Sequence, residues 1–87
     1  MEIPRVYYHP QFRKSFFDLS KEIQKIAKVK IILFKNNPFT PSLKTHKLSG
    51  KLKEHWSFTI KGQYRIVFIF NGNNVIFLDI GRHDIYK

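Results

Sequence analysis

Glu54-His-Trp-Ser-Phe-Thr-Ile-Lys-Gly-Gln-Tyr-Arg-Ile-Val-Phe-Ile-Phe-Asn-Gly-Asn-Asn-Val-Ile-Phe-Leu-Asp-Ile80 is the stretch that decides the fold. Glu54 to Ile60 alternates, with Trp56, Phe58 and Ile60 on one side and His55, Ser57 and Thr59 on the other. That period of two is the mark of a strand with one buried face. Lys61-Gly62 signals a hairpin turn, and Gln63 to Phe70 is apolar on both sides apart from Arg65, as a central strand should be. Asn71-Gly72-Asn73-Asn74 is the strongest turn in the chain, and Val75 to Ile80 closes an antiparallel meander.

Working back from the meander, Phe39 to Lys53 has no sustained period and contains a proline and a glycine, so it reads as a loop. Loops of that length are often functional, and this one carries His46 and the lysines Lys44, Lys47, Lys51 and Lys53. Ile3 to Tyr8 is short, β-prone and interrupted by Pro4, which suits an edge strand. Pro10 can occupy a first helical turn, and Phe12, Phe16 and Leu19 predict a helix over Pro10 to Asp18. Ser20 is an N-cap for a second helix, whose stripe is Ile23, Ile26, Ala27, Leu33 and Phe34 and whose stop is Asn36-Asn37-Pro38. The short turn between the helices makes them a hairpin. The expected architecture is α+β: β-α-α-β-β-β, an antiparallel curved sheet covered on one face by a helical hairpin, in a single domain spanning residues 1–87.

Sixteen Lys and Arg against six Asp and Glu give the 87 residues a formal charge of +10. Residues 1–43 and 44–87 each hold eight basic and three acidic residues, so the whole domain is basic rather than a neutral body with a basic tail. Such a surplus attracts a polyanion. Nine phenylalanines supply a core where no cysteine can supply a disulfide or a thiolate metal site. The start of the chain does not read as a signal peptide and no apolar run is long enough to span a membrane, so a cytoplasmic protein with no membrane partner is expected.

Arg65 is the most anomalous residue by position, because a guanidinium within an apolar strand is expensive without a partner. Either Asp79 on the neighbouring strand pairs with it, or it is aimed at a phosphate; the two can coexist. His83 lies just past the last strand beside Arg82 and Asp84, and His46 lies in the lysine-rich loop. Imidazole both takes and gives a proton near neutral pH. Histidine spacing and the scattered carboxylates argue against a metal site, and no phosphate-binding glycine loop or nucleophilic serine motif is present, so no metal or small-molecule cofactor is expected. Metal-free RNA cleavage suits this inventory, since the 2′-OH of RNA is itself the nucleophile. Tyr86 and Tyr64 are aromatics able to stack a base, although core packing is the better reading of Tyr64.

Three segments, His46 to Phe58, Tyr64 to Phe68 and Leu78 to Tyr86, resemble the RelE/ParE toxin superfamily of bacterial type II toxin–antitoxin systems, nearest to the RelE- and YafQ-like mRNA interferases. The resemblance implies a ribosome-dependent endoribonuclease that cuts mRNA in the A site and is silenced by a cognate antitoxin. It also implies roles. His46 and His83 would share base and acid duties, Arg65 with Lys61 would stabilise the transition state, and Tyr86 would contact a base. Lys44, Lys47, Lys51, Lys53 and Arg82 would hold phosphates. Thr59 stands where many relatives carry Arg or His. The alternatives are a ParE-like inhibitor of DNA gyrase that cuts nothing, and an inactive RNA-binding homologue; fold alone does not separate them. One geometric requirement follows: Arg65 and His83 share a face only if the last hairpin has an odd loop or contains a bulge. The odd loop is expected.

Overall fold

The computed structural model describes residues 5–50 and 54–82. Its elements are β1 (Val6–Tyr8), α1 (Pro10–Phe17), α2 (Lys21–Asn36), a 3₁₀ turn (Pro41–Leu43), β2 (His46–Lys47), β3 (Trp56–Lys61), β4 (Tyr64–Asn71) and β5 (Asn74–Arg82). Local signals set most of these boundaries. Pro10 occupies the first turn of α1, behind His9. The Ser20 hydroxyl accepts from the Ile23 N–H at 3.2 Å and starts α2. Gln24 is buried, and its Nε2 donates to the carbonyls of Phe16 at 3.1 Å and Leu19 at 3.0 Å. That side chain adds a second donor to the Phe16 carbonyl, which also accepts from the Leu19 N–H, satisfies the Leu19 carbonyl, and so fixes the helix turn.

Both helices lie on one face of a five-stranded sheet ordered β1-β5-β4-β3-β2. Phe34 of α2 is the centre of the core, stacked on Phe58 at 4.5 Å and edge-on to Phe68 at 4.9 Å and Phe77 at 5.5 Å. Phe12 fastens α1 to β5 through Phe77, 5.5 Å away. These four phenylalanine contacts join every layer of the molecule, and offset or edge geometry is how such rings attract beyond simple burial.

The meander is antiparallel as expected, but the sheet as a whole is mixed. β1 lies parallel to β5, pairing Val6 with Val75, Tyr7 with Ile76 and Tyr8 with Phe77. The helix hairpin is the crossover that makes a parallel neighbour possible. The segment expected to be one long loop is also more ordered than its composition implied. Leu43 is fully buried, Thr45 Oγ1 donates to the Pro38 carbonyl, and His46–Lys47 adds an edge strand to β3.

Both hairpin turns are two residues long, with Gly62 at φ 56° and Gly72 at φ 63° in the first central position. That is the II′ arrangement, which needs a residue without a Cβ there. The odd loop is therefore overturned: Asn71 pairs directly with Asn74. The strand nevertheless changes face, because a bulge at Leu78 intervenes. Phe68 pairs with Phe77, and the next pair is Val67 with Asp79. One extra residue reverses the alternation of all that follows, so Arg65 stands opposite Gly81.

Candidate active site

Cross-strand partners point to the same side of a sheet. The face away from the helices therefore carries two rows that bring polar side chains together. His46, Ser57, Val67 and Asp79 form one, and Thr59, Arg65 and Gly81 form the next. His46 and Arg65 share this face, with β3 between their strands. Strand spacing and rise put their Cα atoms about 12 Å apart, a span that two long side chains close to the size of one nucleotide.

Arg65 is half-buried, and its Nη1 donates to Thr59 Oγ1 at 3.3 Å. Its Nε is buried and has no partner. The expected pair with Asp79 is not made: the carboxylate Oδ1 instead accepts from the Ile80 N–H at 2.8 Å. Thr59 thus orients the guanidinium from one side while the Nε edge stays free. A guanidinium oriented in that way has further N–H groups with which to meet an anion.

His46 is fixed by the backbone. Lys44, after the 3₁₀ turn, takes the left-handed conformation at φ 52°, and its carbonyl lies 3.0 Å from His46 Nδ1. A carbonyl only accepts, so Nδ1 carries the proton and the neutral ring keeps its lone pair on Nε2. The edge strand and the Leu43 anchor hold that nitrogen at the border of the polar face.

Other sequence-derived candidates lie elsewhere. Lys61 stands opposite Tyr64, beyond a register shift after Thr59, so it faces the helix side with its ammonium 3.8 Å from Glu22 on α2. It is separated from Arg65 by the sheet itself. Lys47 and Arg82 are likewise paired with core-side residues, Trp56 and Tyr64. Arg82 donates to Gln63 at 3.1 Å. Lys44 is exposed beside His46. His83, Tyr86, Lys51 and Lys53 lie outside the described residues. Sequence reading gave Thr59 and Ser57 no role, although the alternation of β3 had set both on the side opposite Phe58. A groove of about 240 Å³ lies across the sheet, between Phe12, Phe16 and Phe17 and rimmed by Arg13 and Lys28. It is apolar and lies on the helix side, away from these groups.

Among the described residues no group of His, Asp or Glu side chains is placed to hold a metal ion, and no helix is long and apolar enough to cross a membrane. No curated protein matches the sequence. Solved structures do match the fold. YafQ from E. coli superposes with a TM-score of 0.78 at 18% identity, covering 94% of this chain and 97% of that one. A copper-bound mutant toxin from Helicobacter pylori gives 0.73 at 23% identity, over 95% and 98%. The E. coli DinJ–YafQ toxin–antitoxin complex gives 0.76 at 18% identity, over 94% and 96%. The model of the bacterial toxin of type II toxin–antitoxin systems, YafQ, matches residues 5–86. On that match, over nearly its whole length, the chain belongs to the YafQ family of type II toxins.

Proposed function

We propose that this toxin is a metal-independent endoribonuclease that cleaves mRNA in the ribosomal A site and is held inactive in the cytoplasm by a cognate antitoxin. The observation that carries this reading is the half-buried Arg65 guanidinium, its Nε without a partner, on the face that also bears His46. The solved complexes of E. coli YafQ with DinJ and of Staphylococcus aureus YoeB with YefM support the antitoxin as partner.

The chemistry needs one nucleophile, and the RNA provides it. The 2′-oxygen attacks the adjacent phosphorus while a base removes its proton. The bond to the 5′-oxygen breaks, an acid returns a proton to that oxygen, and a 2′,3′-cyclic phosphate remains. His46, with Nε2 bearing a lone pair, fits the base, and His83 fits the acid. Arg65 meets the negative charge gathering on the phosphoryl oxygens, where a preformed donor acts most strongly. Lys44, Lys51 and Lys53 add long-range attraction for the backbone. Tyr86 would stack the base beside the cut. Lys61, Lys47 and Arg82 are better suited to steering than to chemistry, given the side they face.

The test is cleavage of a defined message on programmed ribosomes by purified toxin, mapped by primer extension. Wild type should cut within the A-site codon, and H46A or R65A should lose cutting while still binding antitoxin. Wild-type protein that leaves the message intact, or either variant cutting normally, would refute the reading.

A further inference from the structure

Half of the charge surplus lies across the sheet from His46 and Arg65. The helix hairpin, residues 10–36, holds seven Lys and Arg against Asp18 and Glu22, a surplus of five out of the chain's ten. Four of these cations stand in one row. Lys21, Lys25, Lys28 and Lys35 are spaced by four, three and seven residues, which puts them on one side of α2, and all four are exposed. The row runs about 21 Å along the helix axis. Among the described residues the one ion pair joins Glu22 to Lys61, so none of the four lysines is paired there. Beside the row lies the aromatic groove, bordered by Arg13 of α1 and Lys28 of α2 and lined by Phe12, Phe16 and Ile31. Phe17 at its edge is 73% exposed, with Phe16 bracing its ring edge-on at 5.5 Å. An aromatic ring held open to solvent among cations is the arrangement with which proteins stack an unpaired base and grip its backbone.

We propose that this helix face is a second RNA-binding surface, which docks the toxin on ribosomal RNA with the lysine row on phosphates and Phe17 on an unstacked base; this rests on the ribonuclease reading. The message takes the open face, so in the A site the helices turn towards the walls, which are RNA. Composition favours RNA over an acidic protein segment. Lysine is depleted at protein–protein interfaces, whereas interfaces with nucleic acid are much more positively charged. Two contacts on opposite faces also divide the work. The helix face supplies affinity, and the open face then meets a message already held at high effective concentration.

The test measures binding to vacant ribosomes, which carry no mRNA, over a series of salt concentrations. The variant K21Q/K25Q/K28Q/K35Q keeps good helix formers, so it should melt like wild type. Its plot of log affinity against log salt should be flatter by about three, the share of four phosphate contacts, and its dissociation constant should rise about a hundredfold at about 0.15 M salt. F17A should weaken binding about tenfold at unchanged slope, since stacking releases no counterions. K21R/K25R/K28R/K35R keeps the charge and should bind as wild type does. The proposal falls if the glutamine variant or F17A binds ribosomes like wild type, or if the arginine variant shares the loss. It falls equally if the glutamine variant keeps its ribosome affinity and loses the antitoxin, which would assign the face to an acidic protein. Wild type that binds vacant ribosomes through the lysine row but never cuts a message would sink the ribonuclease reading alone.

Discussion

Replacing Arg65 with methionine should make the protein more stable and end its activity. The side chain sits half-buried in the middle of β4, with one bond to Thr59 at 3.3 Å and a buried Nε that bonds to nothing. An unmet buried donor costs about 1–3 kcal/mol, and the Thr59 bond returns about 1 kcal/mol. Methionine keeps much of the apolar stem and removes both effects, while Thr59, itself half-buried, regains water. The net gain is about 1 kcal/mol, which in a domain of this size raises the melting temperature by roughly 4–8 °C. Cleavage should fall by about 10²–10³, the usual loss of one transition-state donor. Thermal and urea melts measure the first, and single-turnover cleavage the second. A variant that melts several degrees lower would mean that Arg65 holds the sheet together, and the argument for a site poised at the expense of stability would collapse.

Phe34→Ala removes the ring at the centre of the core and should cost about 3–5 kcal/mol, most of what a domain this small has; urea denaturation would show a largely unfolded chain, and a loss below 1 kcal/mol would contradict the packing described. Gln24→Met leaves the Leu19 carbonyl unbonded and that of Phe16 with the Leu19 N–H alone, and should cost about 2 kcal/mol, read as a lower urea midpoint at unchanged slope. Lys61→Ala breaks an exposed pair with Glu22, so stability should move by less than about 0.5 kcal/mol. Its maximal cleavage rate should also match wild type, and a hundredfold loss would return Lys61 to the chemistry.

Local order along the chain determined a great deal. Pro10, the Ser20 cap and the stop at Asn36-Asn37-Pro38 depend on neighbours within a few residues, and α1 and α2 end within a residue or two of where those signals put them. The two glycine turns fixed a meander, and the alternation of β3 already separated Trp56, Phe58 and Ile60 from His55, Ser57 and Thr59. Burial of Gln24 and Ile31 escaped the stripe read from sequence, because their partners come from the other helix and the sheet.

Which cations meet was another matter. The sequence offers Lys61, Lys47 and Arg65 alike to a phosphate, yet one residue inserted after Thr59 turns Lys61 to the helices, and one at Leu78 decides what stands opposite Arg65. The parallel seat of β1 and the edge strand that carries His46 were equally hidden, since strand pairing joins segments with no local record of each other. Composition and period determined the elements and the charge; only the register of strands far apart in the chain decided which side each imidazole and guanidinium faces, because a slip of one residue exchanges the two sides of a sheet.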